Sequence, residues 1–543
     1  LEDYRNIPQY NWQDEIFQTA WQHNHTVRLM GGTEGIRYNA SLSYFDQNGT
    51  VLKTGYERMQ GRMNTVVRRN KLNMSLTTNY SRSIQTGSTP SATSYSGMNN
   101  LFYSVWGYRP VTAPDKPLSS LMETVIDETI DSSSDYRFNP IMSLKNEYRK
   151  YYINNLQING FAEYEIIKGL KLKVSGGYTY DSRNQDQFNN SKTRYGGPTS
   201  TDKVNAQVVR QQRLTWLNEN TLTYQTNIKK KHFFNALAGI TFQNSDYEYY
   251  SFRTTHIPNE SLGMAGMSEG QVGATSSAKS SWSMLSYLGR LNYNYQSKYY
   301  ATASFRVDGS SKFAKGHRWG FFPSASVGYR ISEESFIKEF APLSFITNWK
   351  LRASYGAMGD DGSSSYQYLS GYDYPGASYV FGDVVYKGLV FRGLPNELIT
   401  WYKSKTLNVG TDLDLWNGML SAQVDFFWRY RDGLLGKRSG EVPGTIGAEL
   451  PEENLNQDLY KGFEIVLGHR NKINDFNYSV SLNFALTRRQ NRHLEEGDAV
   501  NSYDRWRNKY SNRYSDMGWA YGSNGQFTSM EDIWRSPIQD GQG

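Results

Sequence analysis

Cysteine is absent from the 543 residues, so the chain forms no disulfide and offers no thiolate to a metal. Long apolar runs are absent too. No stretch approaches the roughly 18 consecutive apolar residues that a transmembrane helix needs. Blocks of one charge are missing. The 59 basic and 52 acidic residues, net +7, are interspersed, which argues against nucleic-acid binding. There is no Walker-type phosphate loop and no nucleophile with a base at motif spacing, so nothing argues for an enzyme or a bound cofactor. The seven histidines are scattered. His23 and His25 share one strand face, yet no acidic or thiol ligand is spaced to complete a metal site with them. Asp360-Asp361-Gly362 lacks the spaced acids and closing Glu of a calcium loop and reads as an ordinary turn. Glu452-Glu453, beside Pro451, reads as a solvated loop pair rather than a pair of catalytic carboxylates.

Aromatic residues are abundant. With 42 Tyr and 13 Trp they reach 15%, while mean hydropathy is −0.68. A soluble core favours Leu, Ile and Val, whereas Tyr and Trp suit a boundary that is dry on one side and wet on the other. These residues fall at alternate positions. Between Leu285 and Ile331, Tyr287, Gly289, Leu291, Tyr293 and Tyr295 alternate with Arg290, Asn292 and Asn294. After a break at Gln296-Ser297-Lys298, Tyr299, Ala301, Ala303, Phe305 and Val307 alternate with Thr302, Ser304, Arg306 and Asp308. Side chains in a strand alternate sides, so each such segment has one apolar and one polar face. The pattern recurs in Leu72–Tyr80, Leu170–Tyr180, Leu420–Arg431 and Phe476–Thr487. Repeated segments of about 10 residues with this alternation are the signature of a transmembrane β-barrel. The expected fold class is therefore all-β: a transmembrane antiparallel up-and-down barrel, with about sixteen strands lying between residues 24 and 487.

The connections support this. Residues 33–35, 67–69, 168–169, 229–231, 296–298, 416–418 and 471–473 are short. The long ones are 83–149, 184–206, 245–278, 359–400, 432–458 and the tail, with 49–55 and 308–317 of middling length. Short and longer alternate, as they do when periplasmic turns are short and extracellular loops long. The exception is 331–344, where Ser332 is expected to cap a short helix with Glu333 and Glu334 in its first turn. Short helices are also expected at Asn99–Tyr108 and Leu118–Ile130, and one more strand near Trp519–Tyr521.

Several separated stretches carry a family resemblance. They include Trp12-Gln13-Asp14-Glu15-Ile16-Phe17, Gly31-Gly32-Thr33-Glu34, Tyr38–Gly49, Arg306–Phe313, Gly320-Phe321-Phe322-Pro323-Ser324, Lys350–Gly356, Asp425-Phe426-Phe427 and Lys461-Gly462-Phe463-Glu464. Together they resemble the SusC/RagA class of TonB-dependent outer-membrane transporters. The chain departs from that pattern at Trp401-Tyr402, Asn456 and Tyr460. The resemblance implies a closed barrel of about 22 strands around a plug. It further implies a TonB complex that pulls on an N-terminal part, a SusD-like surface lipoprotein as lid, and import of an oligosaccharide or peptide substrate across the outer membrane of a Gram-negative bacterium. On this view residues 1–543 are a partial receptor barrel in outer-membrane lipid, with no plug domain and without the first and last strands. The alternatives are a siderophore or cobalamin receptor, which would have no lipoprotein lid, and a surface β-protein that transports nothing.

Within that frame the best ligand candidates are aromatics of the long loops, because ring faces stack on sugars while polar neighbours fix orientation. They are Tyr103, Trp106 and Tyr108 in the first long loop, and Tyr366, Tyr368 and Tyr372 in 359–400. Packing of the loops, or contact with the lid, is the competing role for each.

Overall fold

The computed structural model describes residues 8–87, 101–112, 117–123, 138–439, 445, 448–520, 522–523 and 525–536. Its strands are β1 (Gln22–Gly32), β2 (Ile36–Asn48), β3 (Gly55–Arg69), β4 (Leu72–Thr86), β5 (Glu147–Ile167) and β6 (Leu170–Asn189). They continue with β7 (Asn205–Ile228), β8 (His232–Thr255), β9 (Gln271–Tyr295), β10 (Tyr299–Ser310), β11 (Trp319–Arg330) and β12 (Ile346–Asp360). The last are β13 (Tyr372–Phe381), β14 (Val384–Phe391), β15 (Tyr402–Leu415), β16 (Leu420–Lys437), β17 (Glu452–Ile473) and β18 (Phe476–His493). Sixteen of these form one antiparallel meander in chain order, with β12 pairing directly to β15, while β13 and β14 make a separate hairpin. The sixteen strands of the sheet are those expected from the alternation.

Pairing register keeps the two faces apart. Phe305 lies opposite Gly289 and Pro323, and Arg306 opposite Leu288 and Phe322. In β18 the outward row Val480, Leu482, Phe484 and Leu486 is more than half exposed at every position. An uncovered apolar row of this kind suits lipid. No described helix is long and apolar enough to cross a membrane.

The short rim is built from tight turns. Lys229 and Lys230 both have positive φ (54° and 57°), as do Gln296 and Ser297 (53° and 56°). Paired left-handed residues match the right-handed twist of the flanking strands. In the Lys168-Gly169 turn, Gly169 has φ +84°, and a Cβ there would lie 2.3 Å from the Gln225 carbonyl oxygen, so the turn requires glycine.

On the opposite rim the strands run further than the alternation indicated. β7 and β8 have 24 residues each and β9 has 25, against about 9–11 needed to cross a bilayer. The extra length stands above the membrane. There the outer face of β8 carries Asp246 and Glu248, and the apolar period fades. For the same reason Glu452 and Glu453 begin β17 rather than lying in a loop.

The described buried core is concentrated at this rim, in three clusters. Helix α1 (Trp12–Ile16), α2 (Leu101–Gly107) and α3 (Pro140–Asn146) bury Trp12, Ile16, Leu101, Val105, Tyr108, Ile141 and Leu144 together with Val51. A second cluster joins Phe313, Phe322, Ile399 and Trp401, and a third joins Phe188, Ala206 and Ile257. The outer loops are thus folded structures with interiors of their own.

Three local expectations are corrected. Only Leu118–Met122 of the expected helix at 118–130 forms, as a 3-10 turn, and residues 124–130 lie outside the described residues. Ser332 caps nothing: it is buried in a 3-10 turn (Ile331–Glu333), and the following helix α4 (Ser335–Lys338) has Glu334 at its N-cap position. Trp519 and Ala520 are not in a strand, and Tyr521 lies outside the described residues. The Trp519 ring instead packs on Trp506 at 4.6 Å, beside helix α5 (Ser502–Asn508).

Candidate ligand-facing surfaces

The polar face of the wall is knit by hydrogen bonds between side chains of different strands. Gln60 donates to Asn79 at 2.8 Å, Asn64 to Thr77 at 2.6 Å, and Thr302 to Asn292 at 2.9 Å. Arg352 makes a two-pronged contact with Asp425, both bonds 2.5 Å, and a third bond of 3.1 Å to Asp412. Such forked pairs fix geometry as well as charge. Nearer the outer rim, Asp458 is wholly buried and accepts hydrogen bonds from the Arg431 guanidinium.

A recess of about 700 Å³ opens on this face across β9–β12. Met284, Leu288, Phe322 and Met358 supply apolar surface, and Arg290, Arg306 and Asp308 supply charge. Arg306 is held by Asp308 (2.6 Å) and Ser286 (3.0 Å), while Arg290 is exposed. Apolar walls with a few fixed polar groups are the usual make-up of a small-molecule site. At its upper edge, Asp361 accepts from Ser310 (2.8 Å) and lies 3.4 Å from the Lys312 ammonium, while Tyr402 donates to Asp360. A lysine thus stands where a cation would have to sit. Among the described residues no cluster of three or more His, Asp or Glu is arranged to hold a metal.

The six candidate aromatics fall into two groups over different strands. Tyr103, Trp106 and Tyr108 belong to α2 and its end, above β4 and β5. The side chain of Tyr103 lies outside what the structure describes. Trp106 is 72% exposed, stacks on Phe102 at 5.3 Å and donates from Nε1 to Gln13 at 3.2 Å. Phe17 stacks on Phe102 in turn, at 6.2 Å. Tyr108 is 2% exposed, edge-on to Trp12, and packs the loop core. The other group lies between β12 and β15. The Tyr366 hydroxyl donates to the Ser281 carbonyl at 2.8 Å, and its ring meets Tyr368 edge-on. Tyr372 opens β13, exposed and edge-on to Phe391.

The β13–β14 hairpin was not expected from the sequence. Its signal was present in Phe381-Gly382-Asp383-Val384, a two-residue Gly-Asp link between apolar runs, with Gly382 at φ +62°. Both faces are apolar and uncovered: Tyr379, Phe381, Val384 and Tyr386 are all more than half exposed, as are Val380 and Val385 on the opposite side.

At the short rim, Glu334 accepts hydrogen bonds from Lys298 (2.5 Å), Tyr329 (2.7 Å) and Tyr299 (3.0 Å). Lys298 first, then the Tyr329 hydroxyl, holds this carboxyl below the usual carboxylate range. A lowered folded-state value stabilises the contact above the unfolded-state value of about 4.3 and loses it as pH falls through the folded one. Amide exchange of 331–345, corrected for its intrinsic pH dependence, is therefore expected to rise below about pH 4 in the wild type. In Glu334→Gln that rise should shrink to what Glu333, also held low by its hydrogen bond from Lys338, contributes. An unchanged acid response in the variant would show that another group holds the connection.

A meander with one apolar and one polar face, tight turns at one rim and folded loops at the other, is the wall of a transmembrane β-barrel. The chain belongs to the TonB dependent receptor-like, beta-barrel family, which it matches over residues 87–540. It is 29% identical over 500 residues to TonB-dependent receptor P3 of Formosa agariphila, covering 90% of this chain and 47% of that protein. It is 26% identical over 519 residues to TonB-dependent receptor SusC of Bacteroides thetaiotaomicron, covering 91% and 49%. Among solved structures, that of the RagAB peptide transporter superposes with a TM-score of 0.76 at 21% identity, covering 91% of this chain and 54% of that one. The chain spans about half the length of the curated relatives it matches.

Proposed function

We propose that this chain is barrel wall of an outer-membrane importer that takes up oligosaccharides, or peptides, with energy from TonB and with a SusD-like lipoprotein as lid. Family membership supports TonB coupling. The observation that carries the lid is the β13–β14 hairpin. A two-stranded hairpin is marginal in water on its own, and an exposed apolar patch of this size marks an interaction surface. It stands at the long-loop rim, where a surface lipoprotein would meet the barrel. Tyr372 on β13 and Tyr366 and Tyr368 below it then border both lid and ligand. Trp106, with one ring face on Phe102 and the other open, is the best placed of the six to stack on a sugar.

The test is co-purification. Replacing residues 372–391 of the full-length receptor by a short Gly-Ser link is expected to leave the barrel folded, judged by heat-modifiable migration on gels. The lipoprotein encoded beside it should be lost from the complex. Retention of the lipoprotein would remove the hairpin from the interface. Finding no such lipoprotein in the wild-type complex would favour the chelate-receptor reading.

A further inference from the structure

The connection 331–345 has fifteen residues where the other turns on its rim have two to four. An antiparallel hairpin does not need that length. Its position follows from Glu334. The two tyrosines that donate to it, Tyr299 and Tyr329, project from the outward apolar face, with rings parallel (3°) and 5.2 Å apart. Tyr295 extends the row at 6.2 Å from Tyr299, and further along the rim Phe345 stacks on Trp416 at 5.4 Å. The connection is therefore moored to the outside of the wall, at the level where an aromatic girdle meets the membrane boundary.

Beyond the mooring, α4 and the residues just after it divide their side chains. Ile337 is buried, while Phe336 and Phe340 are 61% and 55% exposed. Phe336 lies in α4 and Phe340 two residues past its end, where the backbone is extended. Lys338 pairs with Glu333 at 2.5 Å, and Lys298 stands beside Tyr299. Exposed aromatics flanked by lysines match the layering of a phospholipid boundary, with apolar rings toward the acyl chains and cations near the phosphates.

We infer that the 331–345 connection is an interfacial foot: Phe336 and Phe340 enter the periplasmic phospholipid leaflet and anchor the rim of β9–β12 there. The inference rests on the outer-membrane reading above. It commits to lipid rather than a protein partner because the two rings continue a surface that already faces the membrane.

The test uses full-length receptor in phospholipid nanodiscs, with nitroxide labels at Phe336→Cys, Phe340→Cys and, as reference, Val327→Cys on the outward face of β11. Collisions with oxygen, which concentrates in lipid, are compared with collisions with a water-soluble nickel chelate. Labels at 336 and 340 are expected to favour oxygen, at a depth of about 5–10 Å into the headgroup and acyl boundary, and the label at 327 to lie deeper. If 327 favours oxygen while 336 and 340 favour nickel, the foot is wrong and the barrel reading stands. If 327 itself favours nickel, the membrane reading fails and the foot fails with it.

Discussion

Val409→Arg is expected to destabilise the membrane-embedded receptor by about 2–4 kcal/mol, whereas Asn408→Arg, one residue earlier, costs little. Val409 projects from the outward face of β15 with Ala353 and Phe426 as its register partners, and is 44% exposed. Seven residues separate it from Trp416 at the short rim. At the rise and tilt of barrel strands that span corresponds to a height of about 18 Å, close to the midplane of a hydrocarbon core about 30 Å thick. An arginine there must snorkel or drag water inward. Asn408 lies between Ser354 and Phe427 on the polar face, where a guanidinium keeps its hydration. Denaturant titration of the two variants in the same bilayer reads the difference. Equal costs would mean that the two faces do not see different solvents, and the sheet would not be a membrane wall.

The same contrast explains what could be read from the sequence. Wherever one face meets lipid and the other meets water, the period of two is enforced at each position, as in Tyr299–Val307 and Phe476–Thr487. Strand number and turn positions were therefore legible. Above the membrane both faces are wet. The outer halves of β5–β9 carry runs such as Thr275-Ser276-Ser277 and Asp246-Tyr247-Glu248, and the alternation says nothing about where a strand stops. Short helices were only partly legible. Asn99–Tyr108 was expected and α2 formed at Leu101–Gly107, whereas α1 passed unread because five residues give too few turns for a period to emerge. Of the candidate aromatics, Trp106 and Tyr108 look alike in sequence. Trp12, about a hundred residues away, makes the difference by covering one and leaving the other open. The contact between Glu334 and the tyrosines is similarly non-local, although the anomalous length of 331–344 pointed to that connection.

Asp458 was not singled out by any motif, yet its removal is expected to cost about 3 kcal/mol. Its side chain is fully buried between β16 and β18. Arg431 lies opposite it in register and donates from Nε at 2.7 Å, with Nη2 shared between the carboxylate and the Tyr460 hydroxyl. Arg489 brings its Nε to 3.0 Å without the alignment of a hydrogen bond. One carboxylate thus separates two guanidinium groups. Asp458→Ala leaves both cations facing each other over a methyl group. Breaking a buried pair in this way costs about 3–5 kcal/mol. The low end applies because the arginine side chains are 25% and 37% exposed and water screens part of the repulsion. Asp458→Asn keeps an acceptor for Arg431 and should cost less. Arg489→Ala removes one of the two cations and leaves the Arg431 contact whole, so it should be nearly neutral. Unfolding midpoints of the three variants, with amide exchange at the outer ends of β16–β18, give the order. If Asp458→Ala proves as mild as Arg489→Ala, the carboxylate is not what holds this part of the rim together, and the packing of Leu459 and the strand pairing must do so instead.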